Sequence, residues 1–167
     1  MPISELVCAT AIAGDASTLT AAKGQQLGRA LGTLARRHTA RARRGNIVVA
    51  CEENSSDVSG RDVLRDGIVR GLILSGHDVK ELAATTRDLF AFALDHLDAA
   101  AAVLVAGGDT LSLTFFLGRS LVSVEDLQAL AQLADGEDFA AGEGTLELVD
   151  VRTAFRARRN AAIEPRP

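Results

Sequence analysis

The segment AAVLVAGGDTLSLTFFLG, residues 101–118, contains the residues best placed to bind a ligand. An apolar run leads into a turn with two glycines, Gly107 and Gly108, and a second apolar run follows. The backbone amides of such a turn, together with the side chains of Asp109 and Thr110, could bind an anion or a sugar. The same pattern is typical of a tight turn between two core strands, where glycine permits unusual dihedral angles. Both interpretations are open at this stage.

No other group of residues predicts a catalytic or metal site. The loop EENSSDVSG, residues 52–60, holds three carboxylates, but it lacks the alternating spacing of a calcium loop. We interpret it as a solvated loop that caps the following helix. The three histidines are far apart in sequence, and none forms a recognisable triad with a serine or cysteine. A Gly-Gly-Asp turn also occurs in nucleotide-binding kinases, but there we would expect a helix after it.

Composition predicts a single cytoplasmic domain. The chain has 167 residues, a net charge of -4 and no tryptophan or tyrosine, which argues against nucleic-acid binding. No apolar run approaches the ~18 residues that a membrane span needs, and the N-terminus does not resemble a signal peptide. Cys8 and Cys51 predict reduced thiols. The basic run at residues 36–44 is either a solvated helix end or a patch for an anion or an acidic partner.

The hydrophobic pattern alternates strands with helices. It predicts a three-layer α/β/α domain over residues 1–155 with a mixed, mostly parallel sheet, followed by a basic, proline-ended tail at 156–167. The spacing of Gly24, Gly28 and Gly32 predicts a helix packed closely against another. Thr86 and Ser123 are predicted helix caps. The predicted helices span 20–38, 61–76, 85–98 and 123–136, and the predicted strands span 46–51, 77–83, 101–106, 111–118 and 145–151.

Four phrases of the sequence, taken together, resemble a known family. They are LTAAKGQQLGRALGTLA, the run IVVACEENSSDVSGRDVLRDGIVRGLILSGHDVKELA, AAVLVAGGDT, and LVSVEDLQALAQLADGEDFAAGEGTLELVDV. Their order is similar to the N-terminal domain of the phosphohexomutases, the phosphomannomutase/phosphoglucomutase family, over roughly residues 12–151. The resemblance implies that family's first-domain fold and sugar phosphates as the ligand class.

The catalytic loop departs from the family's pattern. The family has Thr-x-Ser-His-Asn-Pro, in which the serine carries the phosphoryl group. Here Gly107 stands at the serine position and Gly108 at the histidine position, while Asp109 and Thr110 replace the asparagine and the proline. The resemblance therefore implies no catalytic residue in this chain.

The family's phosphate-contacting and metal-binding elements are missing too. Of the family's Gly-Arg-Asp-x-Arg-x-Ser loop only Ser59 matches, and its Ile-Arg-Gly is here Ile12-Ala13-Gly14. The family binds magnesium through a later domain, so we expect no metal cofactor. The remaining candidate ligand residues are Ser59 and the turn at 107–110.

Two classes of function follow from this comparison. The first is a catalytically inactive phosphohexomutase-like domain that acts as a binding, regulatory or structural module. Because a free-standing copy exposes a surface that packs against a neighbour in four-domain enzymes, we expect a homo-oligomer or another protein partner. The alternative is a sugar-phosphate-binding domain, or part of a mutase whose other domains come from another chain.

Overall fold

One mixed sheet organises the computed structural model, which describes residues 1–38, 45–53 and 56–163. The strand order is β1-β2-β6-β5-β3-β4-β8, and β7 pairs with β6. The strands are β1 Val7–Cys8, β2 Ala11–Gly14, β3 Ile47–Cys51, β4 Val79–Leu82, β5 Ala101–Ala106, β6 Leu111–Leu117, β7 Ser120–Leu121 and β8 Leu146–Val149.

Parallel pairing is confined to one half of the sheet. Strand β3 runs parallel to both β4 and β5, and β4 runs parallel to β8. The pairings of β6 with β5, β2 and β7, and of β1 with β2, are antiparallel. The predicted mixed sheet and the antiparallel β5–β6 pair are confirmed. The sheet is more evenly mixed than the mostly parallel one that the sequence predicts.

The helices begin and end close to their predicted positions. Thr86 and Ser123 accept hydrogen bonds from the backbone N–H groups of Leu89 and Asp126, so both predicted caps are confirmed. The second helix begins three residues earlier than predicted, because Asp57 caps it. The helices are α1 Ala21–His38, α2 Val58–Leu74, α3 Arg87–His96, α4 Val124–Gly136 and α5 Arg152–Ile163, with a short 3-10 turn at Ile3–Leu6.

The central strands are buried on both faces, which confirms the three layers. In β3, Ile47 and Val49 pack on the side of α1, α2 and α4, whereas Val48 and Ala50 pack on the side of α3. Strand β5 alternates in the same way. A strand covered on both faces must be apolar throughout, which explains the unbroken apolar runs of β3 and β5.

Helices α1 and α2 cross through glycines. A Cβ atom on Gly28 of α1 would lie deep inside the carbonyl group of Ile68, and one on Gly71 of α2 would overlap the carbonyl oxygen of Gln25. Gly24 and Gly67 are just as closely covered by the facing backbone. The close helix packing predicted from the glycine spacing is confirmed.

Some segments fall outside the predictions or outside the described residues. The N-terminal strands β1 and β2 carry no clear sequence signal. Helix α5 includes residues 156–163 of the predicted tail, so the proposed boundary at residue 155 falls within a helix. Of the basic run at 36–44, residues 36–38 end α1, whereas residues 39–44 lie outside the described residues, as do residues 164–167. Among the helices that are described, none has the length and apolar character to cross a membrane.

Candidate functional site

The predicted ligand turn lies at the edge of the sheet where several elements end. Gly14, the last residue of β2, pairs with Leu111, the first residue of β6. Cys51 and Val105, at the ends of β3 and β5, are neighbours in the parallel ladder. The carboxyl ends of parallel strands are where α/β proteins usually bind ligands. Residues 107–110 follow β5 at this edge, which we call the carboxyl edge.

The start of α2 lies beside this turn. A Cβ atom on Gly108 would be 3.8 Å from the hydroxyl oxygen of Ser56, in ordinary van der Waals contact. A Cβ atom on Gly60 would be 3.2 Å from the Cβ of Ala16, so the loop after β2 also adjoins this helix. The structure therefore brings the turn, the start of α2 and the loop after β2 together.

The two glycines of the turn are not required by the backbone conformation. Gly107 and Gly108 are half-buried, and Asp109 and Thr110 are exposed. Among the described glycines, positive φ angles occur at Gly76 and Gly118 and not in this turn. The expectation that glycine supplies an unusual dihedral angle here is wrong. A Cβ atom at 108 meets no atom of the described residues nearer than 3.7 Å, so an alanine there is compatible with the described surroundings.

The N-terminus of α2 is occupied by a carboxylate of the protein itself. Asp57 accepts a hydrogen bond of 3.0 Å from the backbone N–H of Gly60. Helix N-termini attract phosphates because their N–H groups are unpaired and the helix dipole is positive there. Ser59 is exposed in this first turn, and within the described part of the chain no hydrogen bond joins it to residues 108–110.

Two arginines at the carboxyl edge were missed by the sequence analysis. Arg61 is only 7% exposed, and its Nη1 donates a 2.9 Å hydrogen bond to the carbonyl oxygen of Glu52. Arg87 is exposed, and its Nε donates to the Glu52 carboxylate at 2.9 Å. A cation in the first turn of a helix is opposed by the helix dipole, so Arg61 in that position was a signal for a specific partner. The Asp62 carboxylate also accepts from Nε and Nη2 of Arg61 at 3.1 and 3.0 Å, so both guanidinium groups already have a carboxylate partner.

Carboxylates outnumber cations at the carboxyl edge. Hydrogen bonds from Ser17 and Thr18 lower the pKa of Asp15, which keeps that carboxylate charged. A phosphate approaching this edge would meet repulsion from most of the nearby charges. The acidic residues here are Asp15, Glu52, Glu53, Asp57 and Asp109, and the basic ones are Arg61 and Arg87.

The other titratable candidates are dispersed. His38 pairs with Asp126, His77 is buried with its Nε2 2.8 Å from the carbonyl oxygen of Gly32, and His96 stacks on a phenylalanine ring. Burial raises the pKa of the Cys51 thiol, which disfavours the nucleophilic thiolate. Within residues 1–38, 45–53 and 56–163, no three His, Cys, Asp or Glu side chains are grouped to hold a metal ion.

Comparison with known proteins shows what fold these elements form. No protein-family model and no curated protein matches the sequence. A phosphoglucomutase/phosphomannomutase family protein from Burkholderia thailandensis superposes with a TM-score of 0.81 and 21% identity, over 98% of this chain and 37% of that one. The chain has a phosphohexomutase-like fold. A putative phosphomannomutase from Thermus thermophilus gives a TM-score of 0.69 and 24% identity, over 94% of this chain and 36% of that one.

This phosphohexomutase-like fold confirms the architecture that the resemblance implied. The chain covers little more than a third of the length of either solved structure. At these identities the likeness is one of fold. The chemistry of the carboxyl edge must therefore be judged from the side chains of this chain.

Proposed function

We propose that this chain is a catalytically inactive, phosphohexomutase-like module that acts by binding a protein, in the first instance a second copy of itself. The observation that carries the proposal is the turn after β5. Where the resemblance places the phosphoryl-carrying serine, the chain has Gly107, and Gly108 follows. A glycine offers no hydroxyl group to a phosphoryl donor.

The electrostatics of the carboxyl edge support the same proposal. Phosphoryl transfer depends on cations and metal ions that stabilise the charge on the transferred group. Here Asp57 already satisfies an N–H group at the start of α2, and Glu52 engages both Arg61 and Arg87. These donors are therefore already satisfied by acceptors of the protein itself.

An open sheet edge supports association with another protein. Strand β8 is the last strand of the sheet, and within the described residues no strand pairs with its outer side. Two of its side chains, Leu146 and Leu148, are 47% and 76% exposed. Unpaired backbone groups beside exposed leucines form a surface that favours pairing with another chain.

Light scattering after gel filtration tests self-association. We expect the wild-type protein to be a dimer or larger at about 100 µM, and Leu148→Lys to be a monomer there. Val63→Lys is the matched control, because Val63 is a similarly exposed apolar residue on α2. A wild-type protein that stays monomeric at this concentration would exclude self-association as its function.

Phosphorus NMR tests the absence of catalysis. The wild-type protein should convert neither glucose 1-phosphate nor mannose 1-phosphate to a 6-phosphate. The variant Gly107→Ser should fold as well as the wild type. Conversion of either substrate by the wild-type protein would disprove the inactive state. Because Gly107 lies outside the left-handed region, the variant adds a hydroxyl without backbone strain.

A second candidate is a sugar-phosphate-binding domain, or one part of a mutase completed by another chain. The observation that favours it is the coverage, since the chain spans 37% and 36% of the two solved structures. A ligand that binds the folded state raises the melting temperature by mass action. A rise with either hexose 1-phosphate at millimolar concentration or below would favour this candidate.

We place this module in the cytoplasm. The support is the pair of free thiols, the exposed Cys8 and the buried Cys51. An exposed thiol persists best in a reducing compartment. Fractionation of the native cells, with detection of the protein by antibody, tests this placement.

A further inference from the structure

A groove lies between α3, α5 and the connection from β6 to β7, on the face of the sheet opposite to α2. Helix α5 contacts α3 through Phe155, whose ring meets that of Phe92 edge to face with centroids 5.3 Å apart. The space left beside this contact has a volume of about 480 Å³. Small-molecule sites typically have volumes of about 300–1,000 Å³. We call it the α3–α5 groove, and it is lined by Phe92, Asp95, Arg119, Phe155, Arg158 and Arg159.

The groove is lined by aromatic rings and by residues with small side chains. Besides Phe92 and Phe155, the lining includes Ala91 and Ala162, whose short side chains leave room between the helices. No side chain of α5 is fully buried, so the helix does not fill this space. The Phe92 ring is stacked with His96 and lies 5.5 Å from the Arg158 guanidinium, so a flat apolar group would pack mainly on the Phe155 ring.

The rim of the groove is positively charged although the chain as a whole is negative. Asp95 is the one carboxylate among the lining residues, and its two oxygens accept separately from Arg119 at 2.7 Å and Arg158 at 3.0 Å. Arg159 has no ion-pair partner among the described residues. Three guanidinium groups against one carboxylate leave an excess of two positive charges, in a protein whose net charge is -4.

We propose that the α3–α5 groove binds a small aromatic anion, such as an aryl carboxylate or aryl phosphate. Its ring packs on Phe155 beside the Arg158 guanidinium, and its anionic group lies at the rim, where Arg159 and Arg158 donate hydrogen bonds. Guanidinium groups match carboxylate and phosphate oxygens in geometry as well as in charge. This site is independent of the carboxyl edge and of self-association through β8.

Naphthalene fluorescence provides a direct test. The protein has no tryptophan or tyrosine, so the anisotropy of a naphthyl probe can be followed with little protein background. The probes are 2-naphthoate, 2-naphthyl phosphate and the neutral 2-naphthalenemethanol. We expect both anions to bind about fivefold more tightly than the neutral probe, and to bind more weakly as salt is added.

Variants locate the binding. Arg159→Gln should weaken both anions about threefold to fivefold, whereas Arg156→Gln, which removes the same charge from the same helix outside the groove, should leave the affinity within about twofold. Ala91→Phe should block every probe, since it fills the groove from α3. Far-UV circular dichroism confirms that each variant is folded.

Four results would overturn the proposal. They are no binding of any probe at millimolar concentration, equal affinity for the charged and neutral probes, equal effects of the two arginine variants, and undiminished binding to Ala91→Phe. Probe binding that falls as protein concentration rises would show that a second copy occupies the groove, and would refute the proposal as well.

Discussion

The crossing of α1 and α2 allows a sharp prediction for Gly28→Ala. The new Cβ would overlap the carbonyl oxygen of Ile68 and lie 3.0 Å from its carbonyl carbon and 3.1 Å from the Cα of Gly71. These are backbone atoms, so no rotamer change can make room, and one helix must shift away from the other. The shift would loosen the core that includes Leu27 and Leu64, which belong to the two helices.

The expected change in the free energy of unfolding for Gly28→Ala is the balance of two opposing effects. Overpacking a close contact costs about 1–3 kcal/mol, and backbone contacts belong at the upper end of that range. Alanine is favoured over glycine within a helix by up to about 1 kcal/mol. We therefore expect a net loss of about 2 kcal/mol in the free energy of unfolding, or about 4–8 °C in the melting temperature for a chain of this length.

Urea unfolding followed by far-UV circular dichroism measures this loss, and Gly136→Ala is the matched control. Gly136 is the last residue of α4, and a Cβ there meets no atom of the described residues within 4 Å. The same substitution at 136 should be neutral or stabilise the protein by up to about 1 kcal/mol. If both variants changed the free energy of unfolding equally, the close crossing of α1 and α2 would be wrong.

Three further predictions concern other parts of the chain. Asp57→Asn keeps a capping side chain but removes its charge, so the free energy of unfolding should change by less than about 1 kcal/mol. Hexose 1-phosphates should raise the melting temperature of this variant more than that of the wild type. An equal rise in both proteins would mean that the Asp57 carboxylate does not exclude phosphate. Burial lowers the pKa of His77 below 6.5, so the unfolded chain binds a proton that the folded one does not. The free energy of unfolding should therefore fall as pH decreases below about 6.5. In His77→Gln, urea titrations between about pH 5 and 7 should show that the free energy of unfolding depends less steeply on pH. Phe155→Ala removes the ring contact of α5 with α3, so trypsin should cleave near Arg158 faster than in the wild type. The melting temperature of the rest of the protein should change little. Equal cleavage rates in the variant and the wild type would contradict this account of how α5 is held.

Sequence patterns predicted the elements whose signals are local. The caps Thr86 and Ser123 are recognisable because the hydroxyl and the N–H that it satisfies are three residues apart. Strand β2 was missed because its four residues, Ala11–Gly14, carry no alternation, and its partner β6 lies about a hundred residues further along the chain. Helix α5 was missed because a basic, proline-ended segment suggested a tail, and its contacts with α3 through Phe155 and Arg158 are made across more than 60 residues of sequence.

The place of the turn in the fold could be predicted from the sequence, but the partners of the charged groups around it could not. The turn at residues 107–110 lies at the carboxyl edge, where α/β proteins usually bind ligands, because the order of the strands places it there. The partners of the charged groups could not be foreseen, since Glu52 and Arg87 are 35 residues apart and meet only through the pairing of β3 with β4. The buried position of Arg61 likewise depends on the carbonyl group that it reaches across nine residues.

A phosphate site and a helix cap make the same demand on the backbone, so α2 does not depend on a bound phosphate for its start. In each case an oxygen atom accepts hydrogen bonds from N–H groups at the start of a helix. Asp57 supplies that oxygen from within the chain, so α2 requires no ligand to begin where it does. The core meanwhile lies between the helices and the sheet, while Asp109 and Thr110 are exposed at the carboxyl edge. Because these two side chains are exposed, we expect substitutions at positions 109 and 110 to cost the fold little.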